Sequence, residues 1–162
     1  MDITLVRVDN RLIHGQILEA WVPFTKSSSI IVVDDHVASD FFRETVIKMA
    51  VPRDIEVIIS SVEDFIHHFT YQRGKGRKTI VLFSGMADAI RAFRGGFVFD
   101  RLNIGNVYCD DCLKQCSPSV MLGEEDVTII RSLLDEGVLI DVRCVPREKQ
   151  VNIREMLTMI GA

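Results

Sequence analysis

Ile3-Thr4-Leu5-Val6-Arg7-Val8 runs directly into Asp9-Asn10-Arg11-Leu12-Ile13-His14-Gly15-Gln16, and the reading of the whole chain starts from this junction. Apart from one arginine, the first six residues are apolar or β-branched and read as a strand. The next eight are dense in polar groups. From Gly15 to Phe24 the apolar residues recur at Ile17, Leu18, Trp21 and Val22, which is helical spacing. Strand, polar loop and helix together make the opening of a βαβ unit.

Working outward, the same alternation repeats. Ser29 to Val33 reads as a second strand, and Ser39 to Ala50 as a helix with Phe42, Val46, Ile47 and Met49 on one stripe, stopped by Pro52. Asp54 to Ser60 is a third strand. Ser60-Ser61-Val62-Glu63 resembles a capping box for a helix running toward Tyr71. Gln72 to Lys78 is a basic turn before the strand Thr79 to Phe83. A helix from Met86 to Phe93 ends at Gly95-Gly96. Arg101 to Gly105 is a fifth strand, and Asn106 to Gly123 reads as a loop. Glu124 to Glu136 is helical with acids at its start, Val138 to Val145 is a sixth strand, and Asn152 to Ile160 is a last helix. Continuous apolar strands separated by helices imply an α/β chain: three layers, α/β/α, with a mainly parallel sheet of about six strands. One domain over 1–162 is the expectation, with no internal repeat or linker.

Composition narrows the classes. Apolar residues make up 48% of 162 residues and the net charge is -4, with acids and bases mixed, so a disordered chain or a general nucleic-acid binder is not indicated. No apolar run approaches the ~20 residues of a membrane helix. Met1-Asp2-Ile3-Thr4 has no signal-peptide pattern. The expectation is a cytoplasmic protein that meets a membrane only through partners, with its cysteines reduced.

In such sheets ligands bind beyond the carboxyl ends of the strands. The loop after the first strand places His14 at a helix start, where free N–H groups suit an anion. A neutral imidazole nitrogen is a competent nucleophile toward phosphorus. Arg11, three residues away, has a donor fork suited to phosphate oxygens. Gly15 lets the backbone approach an incoming group, and Asp9 is placed to hold Arg11 or to orient the imidazole. This is a phosphoryl-transfer set. On spacing alone, Arg-x-x-His is also what an exposed pair without chemistry looks like.

The run Arg7-Val8-Asp9-Asn10-Arg11-Leu12-Ile13-His14-Gly15-Gln16, with Trp21 after it, resembles the signature of the mannose/fructose/sorbose-type IIB components of the bacterial phosphoenolpyruvate-dependent sugar phosphotransferase system. Val32 to Asp40, Lys48 to Pro52, Leu122 to Asp126 and Gly137 to Pro146 extend the resemblance over nearly the whole chain. It implies a protein-phosphohistidine–sugar phosphotransferase. A phosphorylated IIA partner would donate to His14, at Nδ1, and His14 would donate to a sugar held by the membrane IIC and IID components. Arg11 matches the family's arginine, and no metal, nucleotide or other cofactor is implied. Two features depart from the pattern. The family's glycine-rich Asn-Val-Gly-Gly-Met is here Asn103-Ile104-Gly105-Asn106-Val107, and a frequent Asp is here Asn10.

Cys109, Cys112 and Cys116 cluster after the fifth strand, with Cys144 in the sixth. A metal or thiol sensor would use that cluster, whereas the plain reading is loop thiols with a buried strand cysteine. A regulatory module of the same fold, phosphorylated on His14 but uncoupled from transport, is the other alternative. The first loop has too few glycines for a nucleotide-binding α/β domain. His67 and His68 read as helix surface or core edge, and His36 as a residue near the site mouth. Asp34, Asp35 and Asp40 are candidates for shaping the His14 loop.

Overall fold

Apolar runs without alternation must be covered on both faces, and they pair side by side at the centre of the molecule. The computed structural model describes residues 1–69, 74–111 and 114–160. The expected end of the third helix at Tyr71, the start of the basic turn at Gln72-Arg73, and Cys112 lie outside those residues. In chain order the strands are β1 (Asp2–Asp9), β2 (Ser29–Val33), β3 (Glu56–Ser60), β4 (Lys78–Phe83), β5 (Arg101–Asn106), β6 (Lys114–Ser117), β7 (Val120–Leu122), β8 (Leu139–Val142) and β9 (Val151–Asn152). A π-helical segment, Gln16–Trp21, leads into α1 (Val22–Thr25); α2 (Asp35–Ala38), α3 (Phe41–Ala50), α4 (Val62–His68), α5 (Met86–Arg94), α6 (Glu124–Asp135) and α7 (Ile153–Ile160) follow.

The main sheet has the order β3-β2-β4-β1-β5-β8-β9. All its pairs are parallel except β8 with β9. On one face Ile17, Trp21 and Val22 pack on Ile30, Val32, Ile80 and Leu82. On the other, Phe65, Met86, Ile130 and Leu133 pack on Val6, Val8, Val81 and Phe83. These are the expected three layers around six parallel strands. The chain leaves β1 toward β2 on one side and leaves β5 toward β8 on the other. Their neighbouring carboxyl ends therefore flank a crevice at a topological switch point.

Several local expectations shift. The region read as a loop contains the antiparallel pair β6-β7, and the sixth strand stops at Val142, leaving Cys144 beyond it. The cap of α4 is Ser61, not Ser60: its Oγ accepts the Asp64 N–H at 3.1 Å. The first helix opens with a widened π turn ahead of Pro23, whose ring would crowd an ordinary turn four residues back.

The largest difference is α3. No residue of it is buried, and Ile47 alone packs in part on the core. Phe42 and Met49 are 75% and 81% exposed, and Phe41 joins them at 83%. Periodicity put Ile47 on one stripe with Phe42, Val46 and Met49, but the sheet meets the helix at Ile47 and leaves the other three facing out. Phe42→Ser should therefore change the unfolding free energy by less than about 0.5 kcal/mol in urea titrations. A loss of about 2 kcal/mol or more would place Phe42 in a core.

Candidate functional site

β1 ends inside the molecule on Asp9, whose side chain is fully buried. Its Oδ1 accepts the Arg11 backbone N–H at 3.0 Å, and its carbonyl accepts the Leu12 N–H. These bonds turn the chain sharply. Leu12 is held at φ +56°, a left-handed conformation uncommon for a bulky residue, with its side chain buried as an anchor. The His14 carbonyl then accepts the N–H groups of Ile17 and Leu18, so His14 stands immediately ahead of the helix.

Asp9 Oδ2 is where the site converges. His14 Nε2 lies 2.7 Å from it. Arg7 donates to it from Nη2 at 2.9 Å and from Nε at 3.1 Å. Asn106 Nδ2 donates at 2.9 Å. Burial works against the Asp9 carboxylate. The donors of His14, Arg7 and Asn106 outweigh it and hold its pKa below the usual carboxylate range. A neutral imidazole that donates Nε2–H to Asp9 keeps its lone pair on Nδ1. That atom is buried and has no hydrogen-bond partner among the described residues.

Arg7 supports this arrangement from below. It is fully buried, and its Nη1 donates to Asn103 Oδ1 at 2.6 Å and to the Arg143 carbonyl at 3.0 Å. Nη2 also reaches Gln16 Oε1 at 3.3 Å. The guanidinium lies 5.5 Å from the centre of the Trp21 ring. Its other face meets Gly105, where a Cβ would fall 1.9 Å from Arg7 Cζ, so only glycine fits there. Burial lowers the Arg7 pKa, and Asp9 opposes that shift.

Of the three residues expected at the site, Asp9 and His14 are in contact. Asp9 holds Arg11 only through its backbone, and the Arg11 side chain is exposed, with no hydrogen bond among the described residues. Arg7, Gln16, Asn103 and Asn106 were not singled out by role. The available signal was a charged residue at position 7, on the same strand face as Leu5 and Asp9, in a run otherwise fit for a core. The second-strand acids do not shape the His14 loop. Asp34 caps α2 through the Val37 N–H, Asp40 caps α3 through the Arg43 N–H, and Asp35 accepts the Val62 N–H and pairs with Arg91. Sequence distance hid the arginine, which comes from α5. His36, His67 and His68 are exposed.

The cysteines are spread over different surroundings. Cys109 packs against Gly123, while the Cys144 thiol meets Ser119 Oγ at 2.7 Å and the Gly105 carbonyl at 3.4 Å. Cys144 is partly exposed rather than a buried strand residue. Among the described residues no three His, Cys, Asp or Glu side chains group as metal ligands. Among them, too, no helix is long and apolar enough to cross a membrane.

Comparison with known proteins agrees over the full length. The family described as "PTS system sorbose subfamily IIB component" matches residues 3–161. The chain is 33% identical over 153 residues to the sorbose-specific EIIB component of Lacticaseibacillus casei, covering 94% of this chain and 93% of that one. It is 29% identical over 160 residues to the mannose-specific EIIAB component of Escherichia coli (strain K12), covering 99% of this chain and 50% of that one. The solved IIBSor domain of the sorbose permease from Klebsiella pneumoniae superposes with a TM-score of 0.88 at 31% identity, over 98% of each chain. A parallel sheet with an Asp–His pair at its switch point and this full-length match lead to one assignment: the chain belongs to the sorbose-subfamily IIB components, the phosphocarriers of sugar-transporting phosphotransferase systems.

Proposed function

We propose that His14 accepts a phosphoryl group on Nδ1 from a phosphorylated IIA protein and passes it to a sugar held by membrane IIC and IID components. The observation that carries this is the division of labour on the imidazole. Nε2 is engaged by Asp9 at 2.7 Å, and Nδ1 is left without a partner among the described residues. In the first step the Nδ1 lone pair forms the N–P bond while the P–N bond to the donor histidine breaks, its electron pair staying on the donor nitrogen. The ring becomes cationic, and the Asp9 carboxylate stabilises its Nε2–H. In the second step a sugar hydroxyl oxygen attacks phosphorus and the N–P electrons return to Nδ1. The hydroxyl proton passes to a base of the membrane component. Because Nδ1 is enclosed, the loop over 10–15 must shift to uncover it while Nε2 keeps its contact with Asp9. The relative from Escherichia coli, named an EIIAB component and twice the length matched here, supports a IIA unit as the donor.

The test is incubation with the phosphorylated IIA protein of the same organism, followed by intact mass measurement. A gain of one phosphoryl mass supports the reading, and no gain with an active donor overturns it. Arg11 supplies the exposed donor fork in this reading. Arg11→Ala should slow phosphorylation by ~10²–10³-fold, the usual worth of a charged donor on a developing anion. Arg11→Lys should recover only part of that, since a point charge cannot make the two-pronged contact. Rapid-quench rates check both, and an unchanged rate in Arg11→Ala removes Arg11 from the site.

A further inference from the structure

The end of β5 contributes more to this site than a boundary. Val8 pairs with Ile104, but Asp9 pairs with Asn106, so Gly105 is an extra residue in β5. Such a bulge re-aims the side chain that follows it. Here it brings Asn106 opposite Asp9, with the side chain 8% exposed. The Asn106 amide uses both of its N–H groups. One goes to Asp9 Oδ2 at 2.9 Å and the other to Gln16 Oε1 at 3.0 Å. Two acceptors fix which end of the amide points inward.

We propose that Asn106 is a positioning residue for phosphoryl transfer: by sharing Asp9 Oδ2 with the imidazole, it sets how tightly Asp9 holds the Nε2 proton of His14. This rests on the reading of His14 as the phosphoryl carrier. A carboxylate oxygen that receives an additional N–H has less electron density for each remaining donor. With Asn106 present, Asp9 stabilises the Nε2–H of His14 less than it would alone. The same proton governs the outgoing step. A phosphoimidazole whose Nε2 is protonated releases neutral imidazole, whereas one without that proton must release the poorer leaving group, an imidazolate. Asn106 therefore slows loss of the phosphoryl group to water.

The charged and titratable groups that bear on the pair are Arg7 on β1, which donates to Asp9, and, through Arg7, Asp141 in β8 and Cys144 beyond it; Arg11 meets Asp9 through its backbone N–H. All are retained when Asn106 is changed. The Asn106 backbone carbonyl separately accepts the Asn10 N–H at 2.9 Å, so a side-chain substitution leaves the strand junction paired.

The test is the proton NMR signal of the His14 Nε2–H and the lifetime of the phosphorylated protein, each in wild type and in Asn106→Ala. In the variant the Nε2–H signal should move downfield, because Asp9 then holds that proton more tightly. Its phosphorylated form should hydrolyse about threefold faster at neutral pH, the worth of part of one hydrogen bond. Asn106→Asp keeps the shape, replaces a donor by a charge, and should move the signal further downfield. A folded Asn106→Ala whose Nε2–H signal stays at the wild-type position overturns the proposal, and so does a folded Asn106→Asp without a downfield shift. The NMR readout needs no phosphorylation. A shift without labelling would fault His14 as carrier, whereas labelling without a shift would fault Asn106 alone.

Discussion

His14→Ala is expected to abolish phosphoryl labelling completely, because the site holds no second nucleophile at the position of Nδ1. Asp9 is the other reactive group at the site, and its carboxylate is buried under five donor contacts. The informative control is His14→Gln, which returns an N–H donor to Asp9 without supplying a nucleophilic nitrogen. It should remain folded and unlabelled. In wild type the adduct should be lost in acid and kept in base, as expected of a phosphoramidate and not of a phosphoserine. Intact mass after acid and alkaline treatment reads both properties. Labelling that persists in His14→Ala, or that survives acid, would move the chemistry to another residue, with the thiols of Cys109, Cys116 and Cys144 next to be tested.

Arg7→Met should be the most destabilising single change at the site, costing about 3–5 kcal/mol in urea unfolding at neutral pH, because it strands a buried carboxylate. Both Arg7 and Asp9 have fully buried side chains. Methionine keeps much of the volume beside Trp21 and removes the charge, so the loss is electrostatic more than packing. The pH dependence separates the two. In wild type the Asp9 pKa is depressed, so its contribution is complete above the unfolded value of ~3.9 and disappears as pH falls through the lower folded value. Arg7→Met removes one of the groups that oppose burial, so the Asp9 pKa rises relative to wild type and protonation relieves the variant at higher pH. The stability gap between the two proteins should therefore narrow as pH falls through the Asp9 pKa of the variant, and go on narrowing down to the lower value of wild type. A gap that stays constant with pH would assign the effect of Arg7 to packing against Trp21 and Gly105.

Much of this was legible in the chain itself. Ser29 to Val33 and Thr79 to Phe83 have no polar alternation, and only strands covered on both faces tolerate that. Their separation by helical patterns then required parallel pairing and crossovers, with a site at the carboxyl ends. His14 and Asp9 were legible because a five-residue separation across one tight loop is a local matter. The stripe on α3 was legible as a pattern but not as a direction. Periodicity reports that Phe42, Val46, Ile47 and Met49 share a stripe, and the position of the sheet decides that only Ile47 is turned inward.

The partners of Asp9 were not legible, for the same physical reason. Asn106 lies 97 residues from Asp9, and the two meet because β5 lies beside β1 in the sheet and Gly105 adds one residue to the register. Asn103 and Arg143 reach Arg7 across that sheet too. Local sequence fixes dihedral preferences and the spacing of apolar groups, which suffices for elements, their order and a loop nucleophile. Which imidazole nitrogen is free depends on a carboxylate held by side chains from β1 and β5, and that arrangement exists only once the strands have paired.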